Sequence, residues 1–248
     1  MSTYRDKKIN NKLEFLNDYN KNVKIIKNNE LDDYRSFIPA KWFNVLKEDE
    51  INKKIEKVLK IWEESVFNEL NKTIKYLKNN LIEVDLIIYN DAITNKEKIS
   101  ILYTIKQETK KEYDISYFEG NFNIEFDTNN ILEQNWEKIQ KKIFEFYTNI
   151  HNGFHFYGGN AGLDELKDVT YLNNYYDIED FEEYENLQSI NLEMTFGFFS
   201  NGAGDYVAID ISRSDENNAI VLYHDDFEES YNVNFWNEVD KWIVDMIE

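Results

Sequence analysis

Leu81-Ile82-Glu83-Val84-Asp85-Leu86-Ile87-Ile88-Tyr89-Asn90, followed by Ile99-Ser100-Ile101-Leu102-Tyr103-Thr104-Ile105, decides the fold class. Ile82, Val84, Leu86 and Ile88 alternate with Glu83, Asp85 and Ile87, and Ile99, Ile101, Tyr103 and Ile105 repeat the pattern. Successive side chains on a strand point to opposite faces, so a period of two predicts strands with one buried and one polar face. Tyr113, Ile115 and Tyr117 continue it, then Phe122, Ile124 and Phe126. Short connections at Asn95-Lys96-Glu97, Lys110-Lys111 and Gly120-Asn121 make 81–127 a four-stranded antiparallel meander.

Upstream the period is helical. Ile51, Ile55, Val58, Trp62, Val66, Leu70, Ile74 and Leu77 recur at three and four, drawing one stripe along a single helix from 50 to 79. Pro39 is expected to start a short helix carrying Trp42 and Leu46. Leu13, Leu16, Val23 and Ile26 give a weaker helical pattern, so residues 1–80 read as helical throughout. Downstream, Trp136, Ile139, Ile143, Phe146, Tyr147 and Ile150 predict a helix over 130–150. Strands are expected at 190–199, 206–211 and 219–223, and a last helix at 234–247, with Asn234 as N-cap. The fold class is α+β, with residues 1–129 a helical segment plus meander and 130–248 a second α+β unit; both sheets joined in one unit is equally compatible with the pattern.

The chain of 248 residues has a formal net charge of −20 and no cysteine, so disulfides and thiolate chemistry are excluded. No apolar run approaches the roughly 18 residues of a membrane span, and the polar N-terminus lacks the apolar stretch of a secretory signal. A cytoplasmic protein with no membrane partner is expected. The charge is unevenly placed: residues 1–80 carry 17 basic and 13 acidic side chains, residues 151–248 carry 3 and 22. Such a field repels nucleic acid and attracts basic partners, although solubility alone is an ordinary use of it.

Four features recur in order along the second half. A helix rich in aromatics runs into His151-Asn152-Gly153, where Gly153 in a left-handed conformation would close the helix. A glycine loop ends in Gly162-Leu163. A hairpin, Asn201-Gly202-Ala203-Gly204-Asp205-Tyr206, leads to Asp210, and a C-terminal helix carries Phe235 and Trp242. Together they resemble the SUKH superfamily, which includes bacterial toxin-immunity proteins and related fungal cell-wall-assembly regulators. The resemblance implies a central antiparallel sheet flanked by helices, a structural role for Asn152, Gly153, Gly162, Asn201, Gly202, Gly204, Asp205 and Asp210, no enzymatic activity, no cofactor, and binding of a cognate protein toxin. It departs from the family in lacking a proline over 128–145, and it does not cover 1–127.

Two acidic-aromatic stretches are the candidate partner-binding surface. One holds Tyr176, Asp177, Glu179, Asp180, Glu182, Glu183, Tyr184 and Glu185; the other holds Asp225, Asp226, Glu228 and Glu229. Aromatic rings supply desolvated contact area and carboxylates complement Lys and Arg; the plainer alternative is solvated loops whose aromatics tuck into the core. The expected function is immunity against a basic toxin such as a nuclease, and the alternative is a non-inhibitory regulatory scaffold or adaptor. His151, His155 and His224 lack metal-site spacing, so no metal is expected. The loop at 201–205 precedes a strand rather than a helix, which favours turn chemistry over phosphate binding, with Ser200 a turn residue. The oligomeric state is left open.

Overall fold

The structure, a computed structural model, describes residues 4–107, 115–124, 131–159, 161–174, 176, 190–213, 219–225 and 231–247. It is an α+β fold. The helices are α1 (Tyr4–Tyr19), α2 (Ala40–Leu46), α3 (Ile51–Val66), α4 (Asn71–Asn80), α5 (Ile131–Gln134), α6 (Lys141–Asn149) and α7 (Phe235–Ile247). The strands are β1 (Lys21–Ile26), β2 (Leu81–Asn90), β3 (Glu97–Lys106), β4 (Ile115–Asn121), β5 (Asn152–Phe156), β6 (Ala161–Leu163), β7 (Thr170–Tyr171), β8 (Thr195–Asn201), β9 (Tyr206–Asp210), β10 (Ala219–Leu222) and β11 (Tyr231–Val233). All join one 11-stranded antiparallel sheet in the order β1-β2-β3-β4-β5-β6-β8-β9-β10-β11, with β7 also pairing β8. Strand β4 pairs directly with β5, so one sheet takes strands from both of the expected units.

Several local expectations are corrected. The apolar pattern at 13–26 is not one helix: α1 stops at Tyr19, and Lys21–Ile26 is an edge strand on β2. Val23, Ile25 and Ile26 are β-branched and suit a strand, and Asn22, with φ 56°, lies where the pairing with β2 shifts register between Lys21 and Lys24. The stripe from 51 to 77 belongs to two helices, α3 and α4, broken at 67–70. The break is stabilised from far along the chain: Asp240 of α7 accepts the backbone N–H groups of Lys72 at 3.0 Å and Thr73 at 2.8 Å, capping α4. The 130–150 helix is likewise divided into α5, a 3₁₀ turn at Trp136–Lys138, and α6. Phe122–Ile124 is not a strand, Gly120-Asn121 lies within β4, and Phe126 lies outside the described residues. The strand beside β4 is β5 instead.

The meander does not have one polar face. On one side Val84, Leu86, Ile101, Tyr103 and Phe118 join the main core beneath α2, α3, α4, α6 and α7. On the other, Ile87, Tyr89, Leu102, Tyr117 and Tyr157 form a second apolar cluster closed by Leu16 of α1 and Val23 of β1. A third, under Leu172 and Leu192, holds Ala208, Ile220 and Leu222. The C-terminal helix is as expected: Asn234 Oδ1 accepts the Asn237 N–H at 3.1 Å, and Phe235, Val239 and Ile243 are buried.

Gly153 and Gly162 both have positive φ, 84° and 137°, but neither ends a helix. Helix α6 stops at Asn149, where Trp42 Nε1 donates to the last carbonyl at 3.4 Å, and Asn152-Gly153 opens β5. At Gly162, in β6, a Cβ would strike His155 Cα and come within 2.5 Å of the Phe154 carbonyl oxygen. Both are backbone atoms of the adjacent strand. Gly162→Ala is therefore expected to lower stability by at least about 2 kcal/mol, read as a lower urea midpoint with unchanged slope.

Candidate functional site

Two described members of the candidate surface, Tyr176 and Asp225, sit at one place: the hairpin between β8 and β9. That hairpin is fixed by its own side chains. Asn201 Oδ1 accepts the N–H groups of Ala203 (2.8 Å) and Asp205 (3.1 Å), and its amide donates to Asp205 Oδ2 at 2.6 Å. Gly202 and Gly204 take φ 78° and 111°, a conformation that needs glycine at little cost. Ser200 Oγ accepts the Gly202 N–H at 3.0 Å, a turn role as expected.

Tyr176 reaches this loop from one side, its hydroxyl donating to the Gly204 carbonyl at 2.9 Å. Its ring is partly buried against the Leu172 cluster, so part of its apolar area serves packing. His224 reaches the loop from the other side, with Asp225 against its ring. Asp205 Oδ1 accepts the His224 backbone N–H at 3.0 Å and lies 2.8 Å from Nδ1, while Asp225 Oδ1 lies 3.0 Å from Nε2. The Asp205 carboxyl is held below its usual range: burial alone would raise it, and the hydrogen bonds from His224 and Asn201 outweigh that. Asp177, Glu179, Asp180, Glu182, Glu183, Tyr184, Glu185, Asp226, Glu228 and Glu229 lie outside the described residues.

Part of the acidic excess of the second half is internal. Asp240 caps α4. Asp210, fully buried, accepts Ser212 N–H and Oγ at 2.9 and 2.5 Å. Asn152, also buried, donates its amide to the Asn123 carbonyl and accepts the Leu166 N–H at 2.9 Å, tying β5 to the segment after β6. The polar groups of these three side chains are engaged within the fold.

A constellation not singled out in the sequence lies on the second face of the sheet, between its two apolar clusters. One cross-strand row runs Leu102, Glu119, His155, Gly162, Ser200, Tyr206, Leu222. Its middle is polar. Glu119, 3% exposed, accepts the hydroxyls of Tyr89 and Ser100, each at 2.9 Å. Beside it Glu165 accepts Lys98 Nζ (3.0 Å), Asn121 Nδ2 (2.8 Å) and Lys167 Nζ (2.7 Å). Burial alone would raise the Glu165 carboxyl; the Lys98 and Lys167 charges outweigh it and hold it below the usual range. Lys98 also pairs with Asp91 at 3.4 Å. Through these internal donors the two glutamates cross-link β2, β3, β4 and the segment after β6. The register that brings Lys98 to Glu165, 67 positions away, could not be read locally.

A groove of about 1160 Å³ lies at the opposite end of the sheet along β1. Its buried cation, Lys12, is held by Asp85 (2.5 Å), Glu83 (3.1 Å) and Thr104 Oγ1 (2.8 Å), and Lys24 by Glu30 (2.7 Å). The edge strand is guarded: Asn17 Oδ1 accepts the Val23 N–H and Glu30 the Lys27 N–H, each at 3.1 Å. Among the described residues no group of three or more His, Asp or Glu is arranged to hold a metal, and no helix is long and apolar enough to cross a membrane. His151 and His155 are separated: His151 lies in the main core and His155 on the polar row.

No family model, no curated protein and no solved structure matches the chain.

Proposed function

We propose that the protein is a non-enzymatic, cytoplasmic binding protein that neutralises a basic protein toxin through an acidic surface around the β8–β9 hairpin. The observation that carries this reading is the convergence on one rigid loop of the first residues of both acidic stretches: Tyr176 on Gly204, and His224 with Asp225 on Asp205. Residues 177–185 and 226–229, which continue from those anchors, bring ten candidate contact residues, nine of them carboxylates. Carboxylates gathered at one end of a chain of charge −20 steer a cationic partner from a distance, and neighbouring aromatics provide the desolvated contacts that slow dissociation. The motif resemblance to SUKH immunity proteins supplies the partner class.

The test has two arms. Capture from the native host should yield a basic protein that is toxic when expressed without this one and harmless with it; a captured partner with no toxicity points to an adaptor instead. With that partner, association is expected to slow severalfold between about 50 and 200 mM salt, since screening shortens the reach of exposed charges. Sign reversal at 179–185 and 225–229 is expected to weaken the complex by at least about tenfold with the melting temperature little changed. An equally tight complex would refute the surface assignment.

A further inference from the structure

The imidazole of His224 lies between two carboxylates. Nδ1 is 2.8 Å from Asp205 Oδ1 and Nε2 is 3.0 Å from Asp225 Oδ1. An ionised carboxylate only accepts hydrogen bonds, and a neutral imidazole has a single N–H, so it satisfies one of these contacts. The imidazolium, with an N–H on each nitrogen, satisfies both. The two sides of this clamp differ. Asp205 is fixed by Asn201 and by the His224 backbone N–H, and the ring lies against Gly204, where a Cβ would come within 3.0 Å of its Cγ. Asp225 is 87% exposed, in the turn after β10.

We propose that His224 is a proton-operated latch: the imidazolium holds the start of the second acidic stretch against the β8–β9 hairpin, and loss of the Nε2 proton releases Asp225 and makes this face better able to take a basic partner. The latch stands on the ring geometry alone; its consequence for binding rests on the reading of this face as a partner surface.

Among the described residues, the titratable groups facing the ring are Asp205 from the hairpin and Asp225 from its own turn, while Tyr176 faces the same hairpin through the Gly204 carbonyl. The Asp205 hydrogen bond, foremost, keeps the ring protonated above the ordinary imidazole range, and the charge of Asp225 adds to it. Nε2 is the position that gives up its proton, because Nδ1 faces the fixed, better shielded carboxylate. Release removes one positive charge and leaves Asp225 without its donor, so the face becomes more negative as pH rises.

Ring-nitrogen and backbone NMR titrations of the full chain test the latch without any partner. In the wild type both His224 ring nitrogens should be protonated at pH 6, and the Gly204 and Asp225 amide shifts should move with the ring's own midpoint. Asp225→Asn, in an exposed turn, should leave the melting temperature unchanged and lower that midpoint by about half a pH unit or more. A midpoint identical in Asp225→Asn, or Gly204 and Asp225 shifts that stay flat while the ring titrates, overturns the latch. A deca-lysine peptide at fixed ionic strength then probes the consequence. Its affinity should rise about two- to threefold across the midpoint and follow the lower midpoint in Asp225→Asn. Latch shifts seen without any such change in affinity would sink the partner-surface consequence and leave the latch intact.

Discussion

Asp240→Ala is expected to lower folding stability by about 3 kcal/mol, a fall in melting temperature of roughly 6–12 °C for a chain of this size. The carboxylate of Asp240, 3% exposed, accepts the Lys72 and Thr73 N–H groups at 3.0 and 2.8 Å, and its own backbone carbonyl accepts the Thr73 hydroxyl at 3.5 Å. Two charge-assisted hydrogen bonds at a helix N-terminus, one of whose donors would be left buried and unpaired, account for that magnitude. The bonds span 167 and 168 positions of sequence and fasten α7 to α4, so the loss should also loosen the contact between those two helices. Hydrogen exchange at the Lys72 and Thr73 amides should accelerate more than at β3. Asp240→Asn, which keeps one acceptor oxygen, should cost about 1 kcal/mol. A neutral outcome for Asp240→Ala would mean that the break at 67–70 is set by α3 and α4 alone.

The second large effect is a pH dependence centred on His151. Trp62 Nε1 donates to the Tyr103 hydroxyl at 3.1 Å, so the Tyr103 proton is directed at His151 Nε2, 2.6 Å away. The ring is 1% exposed, 4.6 Å from Trp42 centroid to centroid, and seated on Gly120. Burial among aromatics pushes its pKa down to about 3. For a base whose folded pKa is depressed, the unfolded chain binds the extra proton. The contribution of His151 is therefore complete above its unfolded value near 6.5 and is lost as pH falls towards 3. Between pH 7 and pH 4 that loss is about 3 kcal/mol.

Other groups titrate in the same protein with different signs. Glu165 and Asp91, the latter held at about 2 because the Thr94 N–H and hydroxyl and Lys98 outweigh its burial, lose their contributions only as pH falls below the ordinary carboxylate range. Asp164 and Asp168 are raised by burial and by neighbouring carboxylates, so their contributions shrink as pH rises and oppose His151. The informative quantity is consequently a difference. The stability gap between wild type and His151→Phe, from urea unfolding at pH 7, 5.5 and 4, should narrow by about 3 kcal/mol on acidification. A gap that stays constant would mean that His151 is not a buried neutral ring.

The placement of the acidic residues qualifies any reading of net charge. Glu165, Asp210 and Asp240 belong to the 22 carboxylates of residues 151–248, yet each is buried and satisfied by protein donors. The set proposed for a partner begins at Tyr176 and Asp225, and its anchor points are legible only once the hairpin is in place.

The sequence alone determined the features that rest on near neighbours. The period of two in 81–105 made β2 and β3, Pro39 and Trp42 marked α2, the Asn201–Asp205 turn chemistry made a hairpin, and Asn234 capped α7. Each follows from side chains within a few residues of one another, where propensity and hydrogen-bond reach suffice. Tertiary structure decided the rest. The stripe from Ile51 to Leu77 satisfies one long helix as well as two, until Asp240 arrives to cap the second. Lys21–Ile26 becomes a strand because β2 offers it a partner, and Ile87 and Leu102, apolar on the face expected to be polar, are covered by α1. The Glu119 and Glu165 cross-links, and the meeting of Tyr176 with His224 at one loop, depend on strand register across β4, β5, β6, β8 and β9. Register is set by pairing energy summed over the whole sheet, which no short window of sequence contains.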